Sequence, residues 1–335
     1  MAVRVAINGF GRIGRLVLRS LIEHDRSDVE IVGINDLGSA EANAHLLEFD
    51  SVHGRLNEDI KVVGDTMTVG KRQIKVLAER DPSKLPWGDM NVDVVAECTG
   101  IFSDADKAKV HLDAGAKRVL VSAPSKGADL TVVYGVNHGD LKPEHKIISN
   151  ASCTTNCLAP VAYVLNNTVG IKHGFMTTVH AYTGDQNTVD SLHKDLHRAR
   201  AAAMSMIPTS TGAARAVGLV LPDLKGKLDG TAVRVPTPNV SMIDLKFVAG
   251  RQTSIEEVNE AIKKAAGGDL KGVLAVNDKP LVSSDFNHNP ASSTFDLGQT
   301  EVVEGDFVRV LSWYDNEWGF STRMLDTAAA IGKPG

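Results

Sequence analysis

The apolar run Val3-Arg4-Val5-Ala6-Ile7 passes directly into Asn8-Gly9-Phe10-Gly11-Arg12-Ile13-Gly14, and then into Leu16, Val17, Leu18, Leu21 and Ile22 at helical spacing. Strand, glycine turn and amphipathic helix in this order constrain the fold more than any other stretch. The glycines permit a turn too tight for side chains, and they leave backbone N–H groups facing outward at a helix start. A GxGxxG pattern alone carries little. Here it has the context that a pyrophosphate-binding turn requires.

A second strand, Glu30-Ile31-Val32-Gly33-Ile34, ends in Asn35-Asp36, at about the separation expected for the acid that binds the adenosine ribose hydroxyls of a dinucleotide. Asp36 has a structural alternative, as the N-cap of a helix expected over 42–49. No Lys or Arg follows within 37–41 to neutralise a 2′-phosphate, so NAD is favoured over NADP. Asn8, Gly9, Phe10, Gly11, Asn35 and Asp36 are the cofactor contacts expected from this end of the chain.

The alternation continues through a strand over 92–97, polar Cys98-Thr99-Gly100, a helix over 104–114 and a strand over 118–121 that ends at Ser122. Such runs build a doubly wound parallel sheet of the Rossmann type, an α/β fold whose ligands bind beyond the C-terminal strand ends. Thr99, Gly100 and Ser122 lie at such ends. The segment 61–77 reads as a hairpin excursion, and Cys98, enclosed by an apolar strand, reads as structural. At 335 residues the chain exceeds one ordinary core. Two domains are expected, the first over 1–150 and completed by a returning helix at about 317–335, the second over 151–316.

The second domain opens on Ser152-Cys153-Thr154-Thr155-Asn156-Cys157, after a short strand over 147–149 and before an apolar helical stripe. A thiol in the first turn of a helix faces unpaired N–H groups and the positive end of the helix dipole, which lowers its pKa and supplies a thiolate. The alternative is a small buried hydrophobe, which is how Cys157 reads. His180 lies on a strand over 175–183. A lone strand histidine is commonly a satisfied core residue, but a cysteine poised on the preceding element makes a thiol–imidazole pair the more specific reading. The stretch 184–206 keeps neither strand nor helix period and carries Lys194, Arg198 and Arg200, either a solvated face or an anion-binding loop. Pro208-Thr209-Ser210-Thr211-Gly212 then offers hydroxyls and backbone donors at another helix start. Arg234 stands on an apolar strand, where it needs either a bound phosphate or an internal carboxylate. Further strands over 243–248, 281–286, 293–300 and 308–314, with a helix opened by a Ser254–Glu257 capping box, give an α+β domain with a largely antiparallel sheet.

With 36 Lys+Arg against 41 Asp+Glu, the net charge of −5 gives no general basic field for nucleic acid or an anionic membrane. An anionic substrate must therefore be held by local groups. Three cysteines are too few for a disulfide framework and lack zinc spacing, so no metal is expected and a reducing compartment fits best. The first strand follows no charged-then-apolar leader, and no stretch of about 18 apolar residues occurs. The expectation is a soluble, cytoplasmic protein.

Residues 7–14, the hexapeptide 152–157, Pro208-Thr209-Ser210-Thr211-Gly212-Ala213-Ala214 and Trp313-Tyr314-Asp315-Asn316-Glu317 together resemble the phosphorylating, glycolytic glyceraldehyde-3-phosphate dehydrogenase family along the whole chain. The resemblance implies that Cys153 attacks the aldehyde of glyceraldehyde 3-phosphate and that His180 activates the thiol. A thioester then forms as NAD is reduced, and inorganic phosphate releases it. It implies that Thr183 and Arg234 hold the substrate phosphate, that Ser152, Thr154, Thr211 and Gly212 hold the attacking phosphate, and that Arg198 supplies charge between them. Arg12, Ile13, Asp36, Arg80, Ser122 and Asn316 match NAD contacts, Asn316 at the nicotinamide carboxamide. A homotetramer is implied, with the 184–206 loop lining a neighbour's cofactor pocket. Two positions depart from the family pattern. Ser191-Leu192 stands where Leu-Pro is common in NAD-specific relatives, which leaves NADP tolerance open, and Phe320 stands where Tyr is common.

Three other readings compete. A related cysteine-dependent semialdehyde or aldose-phosphate dehydrogenase shares the two-domain plan. A cysteine hydrolase would need the Cys–His pair but not the glycine turn. A non-catalytic NAD- or RNA-binding module would need neither cysteine nor histidine.

Overall fold

The computed structural model describes residues 2–332. Positions 333–335 of the returning helix expected at 317–335 lie outside the described residues. The chain forms two compact units. One runs to Tyr134, takes in His138–Ser152 and is completed by the segment from Ser321. The other is Gly135–Asn137 with Cys153–Phe320.

The first unit is built on a nine-stranded sheet. Val3–Asn8 is flanked by Val29–Asn35 and Val94–Glu97, both parallel to it, and Arg118–Val121, Ile147–Ser149 and Leu130–Thr131 extend the parallel order beyond Val94–Glu97. The chain thus leaves Val3–Asn8 towards both sheet halves, which makes its C-terminal end a topological switch point, with Asn8 in register with both Asn35 and Glu97. Strand interiors are apolar on both faces, as helix-covered parallel strands must be, and Val5, Ala6, Ile7, Val94 and Val95 are buried. The 61–77 segment differs from the expected excursion. Ile60–Val63, Thr66–Val69 and Arg72–Leu77 form a meander whose third strand joins the main sheet parallel to Val29–Asn35, because Ile74 and Val76 alternate into the core. The helix expected over 104–114 forms as two four-residue turns, Ala105–Ala108 and Val110–Asp113.

The second unit carries an eight-stranded mixed sheet. Ile171–Ala181 lies between Leu228–Val235, to which it is parallel, and Ser241–Ala249, to which it is antiparallel. Ser241–Ala249 buries every second residue, the period-2 signature of a strand with one face on a core. Phe307–Tyr314, Ser293–Asp296 and Leu274–Asn277 continue the sheet, the last two paired parallel to each other. Residues 281–286 are not a strand. Asp285 Oδ2 accepts from Val282 N at 2.8 Å, and this local bond winds Ser283–Phe286 into a 3-10 turn. The capping box at Ser254 is half formed. Ser254 Oγ accepts from Glu257 N at 3.2 Å, while the Glu257 carboxylate goes to Arg251 and Thr253. Among the described residues, no helix is long and apolar enough to cross a membrane.

Candidate active site

In the first unit, a cavity of about 500 Å³ opens at the strand ends, lined by Asn8, Gly9, Gly11, Asn35, Asp36, Arg80 and Thr99 with Cys98 among others. Gly9 has φ +90°, and a Cβ there would lie 2.7 Å from Thr99 N; at Gly14 a Cβ would fall 2.1 Å from the Gly9 carbonyl oxygen. Side chains at those two positions would push the turn off the strand ends. A Cβ at Gly11 would meet nothing within 4 Å, so that glycine keeps backbone open at the start of the Arg12–Glu23 helix, where as N-cap it brings no side chain of its own. Asp36 Oδ2 accepts from Phe10 N at 2.8 Å and Oδ1 from Gly38 N at 3.0 Å. The next helix is capped instead by Ser39, which accepts from Ala42 N, so Asp36 is free of the capping role. A helix start with glycine as its N-cap, glycines that a Cβ would disrupt and an acid at the far strand end fit a dinucleotide.

The remaining contacts expected in this unit are spread more widely. Phe10 is buried. The Arg12 guanidinium pairs with Asp50. Burial pushes that carboxyl up, but Arg12 and the His53 and Val52 amides outweigh burial and hold it down to about 2. Ile13 is half-buried in the helix, and Gly100 is exposed at φ +73°. Ser122 donates its N–H to Glu97 O at 3.0 Å and its side chain bonds to Cys98. Burial and then Glu97 push Cys98 up to about 12, the behaviour of a packing thiol.

In the second unit, Cys153 is the first residue of the Cys153–Thr168 helix, and Cys153 Sγ lies 3.5 Å from His180 Nε2. The second ring nitrogen settles the tautomer. Nδ1 is 2.7 Å from Ala181 O, which can only accept, and 3.0 Å from Arg234 Nη1, which can only donate; the shorter contact assigns the proton to Nδ1, leaves Arg234 Nη1 to the same carbonyl, and turns the Nε2 lone pair to the sulfur. Arg234, the register partner of His180 on the neighbouring strand, shares that acceptor through Nη1 at 2.9 Å. Burial pushes the Cys153 thiol up, against the opposing influence of Arg234 and of the Thr154 side chain and amide. Burial and then Arg234 push His180 down to about 3. The imidazole is neutral, and enclosure of the sulfur works against the thiolate that helix placement favours. Cys153 keeps partial exposure, so a small substrate can reach it. Cys157 is buried with Sγ 3.3 Å from Ser293 Oγ.

Thr183 Oγ1 is 3.4 Å from Arg234 Nη1, which joins both residues to the cysteine–histidine pair. Arg234 Nη1 donates to Ala181 O and Thr183 Oγ1, neither of them a carboxylate. Arg198 is occupied differently, by Asp185 at 2.6 Å and Thr209 at 3.1 Å. Thr154 is buried with its hydroxyl 2.8 Å from Tyr314 Oη. Thr211 Oγ1 accepts from Ala213 N at 3.2 Å, and exposed Gly212 is the N-cap of Ala213–Val220. That helix start meets the cysteine helix through Thr155 Oγ1 and Ala213 O at 3.4 Å. Ser152 directly precedes Cys153. Asn316 is buried, and its Oδ1 accepts from Ser241 Oγ at 2.8 Å.

Two residues with evident work in these sites were missed from the sequence. Glu97, buried, accepts on Oε1 from Thr99 N at 2.8 Å and on Oε2 from Asn8 Nδ2 at 2.7 Å, while His111 Nε2 stands 2.9 Å from Oε2. It therefore ties two walls of the cavity together. An acid closing an apolar strand is costly unless paired, and that was the signal available. Ser241 Oγ accepts from Ala181 N at 3.0 Å as it donates to Asn316, and it follows Val240, a β-branched residue at φ +66°. No period or motif in the sequence marks it.

The family model described as the glyceraldehyde 3-phosphate dehydrogenase NAD binding domain matches residues 3–105, and the one described as the C-terminal domain of the same enzyme matches residues 152–316. The chain is 70% identical over 335 residues to a glyceraldehyde-3-phosphate dehydrogenase of Xanthobacter flavus, with all of both chains covered. It is 64% identical over 333 residues to that of Cereibacter sphaeroides, covering 99% of each, and 55% identical over 336 residues to that of Geobacillus stearothermophilus, covering all of each. The chain belongs to the glyceraldehyde-3-phosphate dehydrogenase family.

Proposed function

We infer that this enzyme oxidises and phosphorylates glyceraldehyde 3-phosphate with NAD and inorganic phosphate, through a thioester on Cys153. Membership of the family supports the reaction, and the 3.5 Å approach of Cys153 Sγ to His180 Nε2 is the observation that carries the covalent route. The glycine turn would hold the pyrophosphate of NAD, Asp36 the adenosine ribose and Asn316 the nicotinamide carboxamide. Bound NAD supplies the acceptor for the hydride that the substrate carbon gives up.

The chain's own residues manage the protons and the sulfur. As Sγ adds to the aldehyde carbon, the thiol proton passes to the Nε2 lone pair of His180, and it is returned to the new oxygen to give a hemithioacetal. His180 then takes the hydroxyl proton as that carbon is oxidised, leaving a thioester. Inorganic phosphate attacks the acyl carbon, the carbon–sulfur bond breaks, and the proton on Nε2 returns to sulfur. Thr183 and Arg234 are read as the cradle for the substrate phosphate. Ser152, Thr154, Thr211 and Gly212 are read as the cradle for the attacking one. Arg198 contributes charge between the two cradles only in part, since Asp185 already engages it.

Residues 1–150 with 317–335 are proposed as the NAD-binding domain and 151–316 as the catalytic domain. The working form is proposed to be a cytoplasmic homotetramer. Steady NADH formation that requires both the aldehyde and phosphate or arsenate tests the reaction. Turnover undiminished without either anion would contradict it. A cysteine hydrolase reading has no use for the cavity at the glycine turn, so NAD binding by calorimetry separates the two.

A further inference from the structure

Thr183 and Gln186 close a turn in both directions. Gln186 N donates to Thr183 O at 2.9 Å, and Thr183 N donates to Gln186 Oε1 at 3.3 Å. The second bond fixes which way the amide faces, because the reversed orientation would set its NH₂ against the Thr183 N–H. Nε2 is therefore the atom left over. Gln186 is only 8% exposed, and its Nε2 is buried with no acceptor among the described residues. A buried donor without an acceptor is costly and calls for an explanation. The same Thr183 carries a hydroxyl 3.4 Å from Arg234 Nη1, and Arg234 Nε is likewise buried without an acceptor. Two unspent donors, one on a cation and one on a neutral amide, thus belong to the two neighbours of a single threonine. Asp185 lies between Thr183 and Gln186 in sequence, but Arg198 Nη1 holds its carboxylate at 2.6 Å, so its charge is compensated.

We propose that Gln186 Nε2 is a specificity-determining donor to the phosphate group of the aldehyde substrate. This rests on the reading of Thr183 and Arg234 as the cradle for that phosphate. Arg234 supplies charge, and Gln186 supplies a directional N–H without adding another cation that would further depress His180. The turn bond from Thr183 N holds the amide in place before substrate arrives, so little side-chain freedom is lost on binding.

The test compares glyceraldehyde 3-phosphate with D-glyceraldehyde, which lacks the phosphate, under saturating NAD and inorganic phosphate. Gln186→Glu keeps an oxygen to accept from Thr183 N, so the turn survives, but it replaces the donor with an oxygen that cannot donate. The expected result is a fall in kcat/KM of about 10- to 100-fold for the phosphorylated aldehyde. The value for D-glyceraldehyde and the KM for inorganic phosphate should each move by less than about 2-fold. Gln186→Met, without charge, should give the same split at about 10-fold. Equal losses on both aldehydes would make Gln186 a turn-holding residue and overturn the proposal, as would no loss, or a loss confined to the KM for inorganic phosphate. Arg234→Leu separates this failure from failure of the wider reading. If that variant treats the two aldehydes alike, the cradle itself is misassigned; if it splits them and the Gln186 variants do not, only the Gln186 assignment falls.

Discussion

His180 presents Nε2 to Cys153 Sγ at 3.5 Å because its other nitrogen is spent on Ala181 O at 2.7 Å. The base therefore meets the thiol in one tautomer only. His180→Asn should lower kcat/KM by about 10²- to 10⁴-fold, the range for loss of a general base. It should also slow alkylation of Cys153 by iodoacetamide at neutral pH. Unchanged alkylation would remove His180 from thiol activation.

Arg234 acts on both members of the pair, and its removal has a definite sign. The cation favours the thiolate and disfavours the imidazolium, so Arg234→Leu should raise the Cys153 pKa and raise that of His180. The alkylation profile should move to higher pH, with slower reaction at every pH below the new inflection. A profile that stays in place would mean that Arg234 does not reach the sulfur.

Acid should destabilise the folded chain through His180. Its folded pKa of about 3 lies below the ordinary 6.5, so above pH 6.5 both states are neutral and no dependence arises. As pH falls from 6.5 towards 3 the unfolded chain binds a proton that the folded one refuses, and stability is lost. Urea unfolding of the enzyme and of His180→Asn across pH 4 to 7 checks this, since the slope should be shallower in the variant. Equal slopes would refute it.

Much of this arrangement was legible in the sequence because it is local. The glycine turn, the helix start at Cys153 and the strand bearing His180 are each set by a few consecutive residues. What was missed depends on contacts across the chain. The ion pair of Arg12 with Asp50, 38 residues away, has no local sequence signal. The Cys153 thiol was expected to be lowered by its helix, and no local pattern shows how deeply other segments enclose the sulfur. The strand expected over 281–286 lost to one side-chain bond from Asp285, a competition that propensity does not resolve.

Asp36 and Glu97 separate two contributions to cofactor binding. Asp36→Ala should shrink the preference for NAD over NADP by about 10-fold, since an acid beside a 2′-phosphate is repulsive and its loss relieves that. Glu97→Gln leaves the ribose contact untouched but faces an NH₂ to donors at Asn8, Thr99 or His111. It should raise the KM for NAD several-fold for both cofactors alike, with kcat little changed and the melting temperature lowered. A change in the NAD/NADP ratio in Glu97→Gln, or none in Asp36→Ala, would contradict this division.

The covalent route is tested most directly by mixing enzyme, excess NAD and glyceraldehyde 3-phosphate without phosphate or arsenate, then following NADH and the mass of the peptide bearing Cys153. A burst approaching one NADH per chain should appear and stop, with the acyl group on Cys153, and phosphate should discharge it. A burst of equal size in Cys153→Ser, or NADH formed with no acyl group on that peptide, would contradict a thioester at Cys153.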